Sequence, residues 1–405
     1  MSKLRAYLDN NASQPLRASA REAMLEVMDK VGNPSSVHGE GRHKKAVIER
    51  ARRDVAALVN GPVDGVIFTS SSTEAANLAL TPNITSDGVL RPASHLYVLA
   101  TEHPCVLSGG RFSLDQISII PVLSNGLADQ EALQNMLAVH DRDTGVPYLA
   151  LQLANSETGI IQPVAEIAQQ VRLMGGYVLV DAVQAVGRMA VDMAQLNADF
   201  LLLASHKIGG PQGAGALIVA HDVLQLEPLI KGGGQENQKR AGTENAAAIA
   251  GFGAASRETL AQLGDFHQIT ALRDSLEAKL VPICEKAGLG SDRVIVFGQE
   301  QDRLGNTLLF AVNGLKAETV LIAFDLDGVA VSSGSACSSG KVGRSHVLTA
   351  MNVDKETARG AIRVSFGWQS TDHDIEAFCR AFERITKRLA DMLIDETDER
   401  LSGAA

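Results

Sequence analysis

The sequence predicts an α/β protein: a large domain built on a seven-stranded, mostly parallel sheet, joined to a smaller α+β domain. Three observations carry this expectation. Between about Gly65 and Ala220, short and nearly continuous apolar runs alternate with amphipathic stretches, the mark of parallel strands covered by helices on both faces. From about Asp265 the pattern changes to a helix-like stretch, two separated apolar runs and a long amphipathic close. The chain has 405 residues, too many for one small core, so two domains are the natural expectation. The division falls at 17–262 for the large domain, with 1–16 and 263–405 forming the small one.

The elements can be taken in chain order. Lys44–Val59 sets Val47, Ala51, Val55 and Leu58 at helical spacing, with charges opposite. Seven strand-like runs come next: GVIFTS (Gly65–Ser70), LYVLATE (Leu96–Glu102), ISIIPV (Ile117–Val122), YLALQLAN (Tyr148–Asn155), YVLVDA (Tyr177–Ala182), FLLLAS (Phe200–Ser205) and GALIVA (Gly215–Ala220). All read as buried on both faces, and the helical patterns between most of them complete a layered α/β unit. In the second region LRDSLEAKLVPICEKAG reads as a helix, and TLLFAV (Thr307–Val312) and AIRVSF (Ala361–Phe366) as strands. The closing helix places Ile375, Phe378, Phe382, Ile385, Leu389 and Met392 on one stripe. Cys379 beside it and Cys284 read as packing residues, and the last residues, ETDERLSGAA, as a frayed end.

Composition narrows the function. Apolar residues make up 45% and charged residues 21%, an ordinary globular balance. A formal net charge of -10 argues against nucleic acid or an anionic membrane as the main partner. No apolar stretch approaches the roughly 20 residues of a membrane span, and the start, MSKLRAYLDNNAS, lacks the pattern of a signal peptide. The four cysteines, Cys105, Cys284, Cys337 and Cys379, form neither a C-x-x-C pair nor a zinc-type cluster. No metal site is expected, and the compartment reads as reducing cytoplasm.

In open α/β sheets, ligands sit beyond the carboxyl ends of the strands, so the residues just after each apolar run matter most. After Phe68 comes TSSSTEAANLAL, a polar turn opening a helix. Its backbone N–H groups, with the Ser72 and Thr73 hydroxyls, suit a phosphate, although ordinary N-capping accounts for the same residues. His103 comes after the second strand, and a lone histidine is more often structural than catalytic. Asp181 and Gln184 come after YVLV. Lys207 comes after FLLL, flanked by His206 and by glycines that admit a bulky group close to the backbone. Together these strand ends offer a phosphate nest, an aromatic ring, a carboxylate and an amine. Pyridoxal phosphate requires that set: an amine for a Schiff base, a carboxylate beside its ring nitrogen and donors for its phosphate. Lys207 would supply the amine, Asp181 the carboxylate, Ser72, Thr73 and Ser205 the phosphate contacts, and His103 a ring to stack.

Ten pieces in consistent order resemble one family: YLDNNAS, GNPSSVHG, FTSSSTEAANLA, TEHPCVL, NSETGIIQP, VDAVQAVG, SHKIGGPQGAGAL, KRAGTEN, VSSGSACSSG and IRVSFG. The sequence is similar to cysteine desulfurases of the NifS/IscS type, in the class V aminotransferase group of fold-type I pyridoxal phosphate enzymes. The resemblance implies that Lys207 binds the cofactor, that His103 stacks on it, and that Asp181 and Gln184 hold its ring. Asn155 and His206 belong to the same expected shell. It also implies that Arg363 pairs with the substrate carboxylate, that Asn33 lies near the substrate, and that Thr243 reaches the phosphate in the neighbouring subunit of a homodimer. Three positions depart from the family pattern. Ser71 replaces a usual glycine, Ser156 replaces a second asparagine, and Ala204 stands where a phosphate-binding serine is common. Whether Asn155 or Ser156 faces the cofactor is left open by the sequence.

The stretch SSGSACSSG then acquires a meaning. Cys337 lies in a polar run where a thiol ionises more readily than in a core, and in the family this cysteine takes sulfur from L-cysteine. The expected reaction converts L-cysteine to L-alanine and leaves a persulfide on Cys337. The sulfur would pass to a protein acceptor for iron–sulfur cluster assembly or for tRNA thiolation. Lys341 and Arg344 make the run after Cys337 more basic than is usual in the family. A selenocysteine lyase or another class V enzyme would share the cofactor residues, and a non-catalytic scaffold for sulfur acceptors would share the fold. Lys207, Asp181, His103 and Cys337 occurring together favour the desulfurase.

Overall fold

The computed structural model describes residues 5–221, 223–334 and 345–402. Cys337 and the basic residues Lys341 and Arg344 lie outside the described residues. The main sheet has seven strands: β1 (Val66–Thr69), β2 (Ala93–Leu99), β3 (Ile117–Ile120), β4 (Val146–Gln152), β5 (Tyr177–Asp181), β6 (Phe200–Ala204) and β7 (Gly215–Val219). Their spatial order is β1-β7-β6-β5-β4-β2-β3. Strand β7 runs antiparallel to both its neighbours, and every other pairing is parallel. The expected mostly parallel order holds, with β7 the reversed strand; a hydrophobic run covered on both faces reads the same in either direction, so that reversal leaves no trace in composition. One expectation needs correction. The run ISIIPV forms an edge strand, not a buried one, and Ile119 is 46% exposed.

Side-chain alternation divides the main sheet between two apolar layers. Phe68, Leu149, Leu151, Val178, Val180 and Leu201 face one of them, where the helices Gly39–Leu58 and Ala246–Gln262 pack. Ile67, Tyr148, Leu179, Phe200 and Leu202 face the other. Tyr148 and Phe200 stack with ring centroids 5.9 Å apart.

A second sheet joins β8 (Val294–Val296), β9 (Thr307–Val312), β10 (Ser332–Ser333) and β11 (Ile362–Ser365) in the order β8-β9-β11-β10. One face of β9, Leu308, Phe310 and Val312, packs with the helices Phe266–Lys286 and Asp372–Ser402 in a third cluster that includes Ala6 and Leu8. The alternate residues Leu309 and Ala311 join the core of the main sheet, so the second sheet is wedged between two cores. Within the closing helix, Phe378 and Phe382 are fully buried, but Met392 is 61% exposed. The apolar stripe therefore outlasts the surface it covers. The helix runs to Ser402 where fraying was expected, consistent with the good helix formers in that stretch. Cys284 is buried, and Cys379 is partly buried against the third cluster.

Candidate active site

A cleft of about 300 Å³ opens where the main-sheet strands end and the N-terminal segment crosses to the second sheet. Ser72, Thr73, His103, Asp181, Gln184, Lys207 and Arg363 line it, with His206 beside them. The first six all lie within four residues of the ends of strands β1, β2, β5 or β6, because parallel strands deliver the residues at their carboxyl ends to one edge of the sheet. Arg363 arrives from the second sheet, on β11.

Each group is fixed by named partners. Lys207 Nζ donates to the carbonyl oxygens of Asn11 at 2.6 Å and Ala12 at 2.9 Å. The Asn11 carbonyl also accepts from Gln184 Nε2 at 3.1 Å. Arg188, itself buried, donates to Gln184 Oε1 at 2.6 Å, which sets the orientation of that amide. Asp181 Oδ1 accepts from the Val183 N–H at 2.9 Å. Ser71 caps the helix Ser72–Ala79 by accepting from the Glu74 N–H at 3.2 Å, leaving the first-turn N–H groups at the cleft.

His103 accepts at Nδ1 from the Cys105 N–H at 3.2 Å, so the neutral ring carries its proton on Nε2. Burial, with the positive charges of Lys207 and His346, lowers its pKa to about 4, and at neutral pH the ring is uncharged. Asp181 is pushed up to about 6 by burial, while the Val183 N–H and Lys207 pull it back. Beside it, Glu102 is raised well above the usual carboxylate range by burial and by the Asp181 charge. Of the two carboxyl groups, Glu102 has the higher pKa, and Asp181, held by the Val183 N–H and Lys207, is the one that more readily carries the charge.

Three expected positions do not line the cleft. Ser205 does not line the cleft: its Oγ is buried without a hydrogen-bond partner among the described residues, against the turn at Gly210. Ser205 opens the 3-10 turn that follows β6 and turns its hydroxyl toward Gly210, so it does not replace in the cleft the hydroxyl missing at Ala204. Asn155 is buried, and its amide is spent on Thr101, Gln152 and the backbone of its own turn. Ser156 is the residue of that pair on the cleft wall. Asn33 is exposed, and its side chain accepts from the Ser35 N–H at 2.9 Å. Thr243 is exposed and away from the cleft of its own chain. Conversely, Asn11 and Gln152 line the cleft without having been singled out. The only signal for Asn11 was the YLDNNAS piece itself.

Comparison with known proteins agrees with this geometry. The family model for aminotransferase class V matches residues 6–378. A curated cysteine desulfurase IscS of Dictyoglomus turgidum is 36% identical over 96% of both chains. The cysteine desulfurase IscS 1 of Archaeoglobus fulgidus is 34% identical over 95% of this chain and 98% of that one. The chain belongs to the cysteine desulfurases of the class V aminotransferase family. Among solved structures, a NifS-like protein from Rickettsia africae superposes with a TM-score of 0.83 at 35% identity, covering 94% of this chain and 99% of that one. The class V fold is that of pyridoxal phosphate enzymes, and the residues present have the chemistry the cofactor needs. An amine, a buried carboxylate, an uncharged imidazole and a helix start converge on one cleft.

Proposed function

We propose that this chain is a pyridoxal phosphate-dependent cysteine desulfurase that converts L-cysteine to L-alanine and takes the sulfur as a persulfide on Cys337. The observation that carries the reading is the convergence of Lys207, Asp181, His103 and Arg363 on one cleft from two sheets. Lys207, Ser72, Thr73, Gln184, Asp181 and His103 would hold the cofactor. Bound there, it supplies an aldehyde for the substrate amine and a ring that takes up electrons from the α-carbon.

The protein's residues do the rest. Arg363 receives the substrate carboxylate. Asp181, ionised at neutral pH, keeps a proton on the ring nitrogen. Lys207, on the wall of the cleft, is placed to move the α-proton. His103, neutral with its proton on Nε2, exchanges a proton with the substrate thiol. The Cys337 thiolate then attacks the substrate sulfur: the S–S bond forms, the C–S bond breaks, and its electron pair stays with the substrate carbon. That carbon takes up a proton and leaves as alanine, so L-cysteine and one thiol become alanine and one persulfide with no outside oxidant.

The two-domain division at 16/17 and 262/263 is part of this reading, supported by the separate third cluster that joins Ala6 and Leu8 to residues 276–390. So is a homodimer, supported by the exposure of Thr243 away from its own cleft. The sulfur passes to a protein acceptor in the cytoplasm for iron–sulfur cluster assembly or tRNA thiolation. Among the described residues no helix is long and apolar enough to cross a membrane.

The test measures alanine release from L-cysteine together with mass-spectrometric mapping of the persulfide. Cys337→Ser should retain the cofactor and form no persulfide, and Lys207→Ala should release no alanine. A persulfide on Cys105, Cys284 or Cys379, or full turnover by Lys207→Ala, would refute the assignment.

A further inference from the structure

We propose that Arg17 is a positioning residue for Lys207, a buried guanidinium that fixes both the backbone beside that lysine and the stretch its amine rests against. The proposal rests on the reading that Lys207 serves the desulfurase reaction. Arg17 is 4% exposed, and a charge buried this deeply needs partners to offset its lost hydration. Those partners come from three parts of the chain, and one of them is the residue that follows Lys207.

Residues 11–17 run along the turn that carries the lysine and bond to it at successive points. Lys207 Nζ donates to the carbonyl oxygens of Asn11 and Ala12. The Gln14 N–H donates to the His206 carbonyl at 2.9 Å, and the Arg17 N–H to the Gly209 carbonyl at 2.8 Å. The Arg17 side chain adds a bond within the same turn, where Nε donates to the Ile208 carbonyl at 2.8 Å. The Thr259 hydroxyl also donates to that carbonyl, but at 3.3 Å, so Arg17 makes the shorter and stronger contact.

The rest of the guanidinium ties this turn to two other elements. Nη1 donates to Glu258 Oε1 and to Gln262 Oε1, both at 2.7 Å, at the end of the helix Ala246–Gln262. The central carbon lies 5.0 Å from the centroid of the Trp368 ring, within cation–π range. Trp368 follows β11, the strand of Arg363, and its Nε1 donates to the Pro15 carbonyl at 3.3 Å. A planar group with several fixed donors can serve all these partners at once, whereas a lysine ammonium is a single point.

A reacting group misplaced by about 1 Å can cost on the order of 100-fold in rate. Arg17 acts through the position of the Lys207 backbone and of the Asn11 and Ala12 carbonyls, not on the reacting atoms.

Arg17→Ala would empty a buried position and endanger the fold, so the experiment compares Arg17→Lys with Glu258→Gln. The lysine can pair with Glu258 but then gives up the Ile208 carbonyl. The glutamine removes the charge of the ion pair while Arg17 keeps its bond to Ile208. Steady-state alanine release is measured on the holoenzyme. On the apo protein, labelling with acetic anhydride, read by mass spectrometry, gives the reactivity of the Lys207 amine relative to exposed Lys231 and Lys286, and calorimetry gives Tm. For Arg17→Lys, kcat should fall roughly tenfold with KM within twofold, and relative acetylation of Lys207 should rise roughly tenfold. For Glu258→Gln, both readouts should stay within twofold even where Tm falls. Either readout staying within twofold in Arg17→Lys, or Glu258→Gln moving both as far as Arg17→Lys does, would overturn the proposal. Full turnover by Lys207→Ala would instead refute the catalytic reading, and acetylation of Lys207 in the apo protein would still judge the clamp.

Discussion

Arg363 and Asp9, 354 residues apart in sequence, meet in an ion pair at 2.8 Å on the wall of the cleft. The other terminal nitrogen of Arg363 donates to the Ser156 carbonyl at 3.0 Å, and its Nε is buried with no hydrogen-bond partner among the described residues. The guanidinium is 2% exposed and held in a fixed plane. If Arg363 receives the substrate α-carboxylate as proposed, that group meets an oriented fork, not a mobile charge.

Arg363→Lys should therefore impair substrate binding more than chemistry. The lysine keeps the charge but cannot hold Asp9, Ser156 and a carboxylate in one plane. Charge-assisted hydrogen bonds of this kind contribute about 1.5–3 kcal/mol, so KM for L-cysteine should rise by roughly 10- to 100-fold while kcat changes little. Steady-state kinetics decide it; an unchanged KM would place the substrate carboxylate elsewhere.

Asp181 offers a pH-dependent test on the apo protein. Burial raises its pKa to about 6, and only the ionised form can pair with a protonated ring nitrogen. Association of pyridoxal phosphate with the apo protein should weaken as pH falls through about 6. Asp181→Asn should remove that dependence and slow alanine release by about 100-fold, a loss of the size seen when one preorganised electrostatic partner is deleted. Spectroscopic titration of the apo protein between pH 5 and 8 measures the first effect.

Much of this site was legible in the sequence because parallel strands gather the residues at their carboxyl ends: Lys207, Asp181, His103, Ser72 and Thr73 lie next to recognisable apolar runs. Groups brought in by long-range contacts were not. Asp9 and Asn11 enter from the N-terminal segment, and Glu157 meets its partner Ser345 across 188 residues of sequence. Periodicity reports which face of an element is buried but not what it is buried against. That is why Ser205 was placed in the cleft and why the reversal of β7 went unread.

Glu157 also predicts a stability effect with a definite sign. Burial pushes its carboxyl group up to about 7, above the roughly 4.3 of an unfolded glutamate. Between these values the unfolded chain ionises and the folded chain does not. The residue's contribution is thus fully favourable below about pH 4, declines as pH rises and is lost above about pH 7. Its cost at pH 8 is at most on the order of 4 kcal/mol. Glu157→Gln removes the ionisation, so it should raise Tm relative to wild type by roughly a few °C more at pH 8 than at pH 5. Calorimetry at the two pH values measures it, and an equal shift at both would mean that Glu157 ionises normally in the folded protein.

The exposure of Thr243 leads to the last prediction. The segment before it is built with care for a surface loop. Glu236, Asn237 and Gln238 all have positive φ, at 48°, 53° and 66°, a conformation costly for residues other than glycine. Glu236 holds the turn from inside: its carboxylate pairs with Arg52 at 2.8 Å and accepts from the Phe68 N–H at 2.9 Å. Arg240 then pairs with Glu74 at 2.8 Å, in the first turn of the helix Ser72–Ala79. A loop fixed at both points and still presenting Thr243 outward suits a contact with a second copy of the chain. If Thr243 completes the partner's phosphate site, each active site draws Lys207 from one subunit and Thr243 from the other. A mixed dimer of Lys207→Ala and Thr243→Ala subunits would then hold one site with both lesions and one with neither. It should keep about half the wild-type rate of alanine release per dimer, while both parent homodimers are impaired at every site. If each subunit uses its own Thr243, the mixed dimer has no intact site, and its rate should be half that of the Thr243→Ala homodimer. Purifying the mixed dimer with two different affinity tags and measuring alanine release separates the two arrangements.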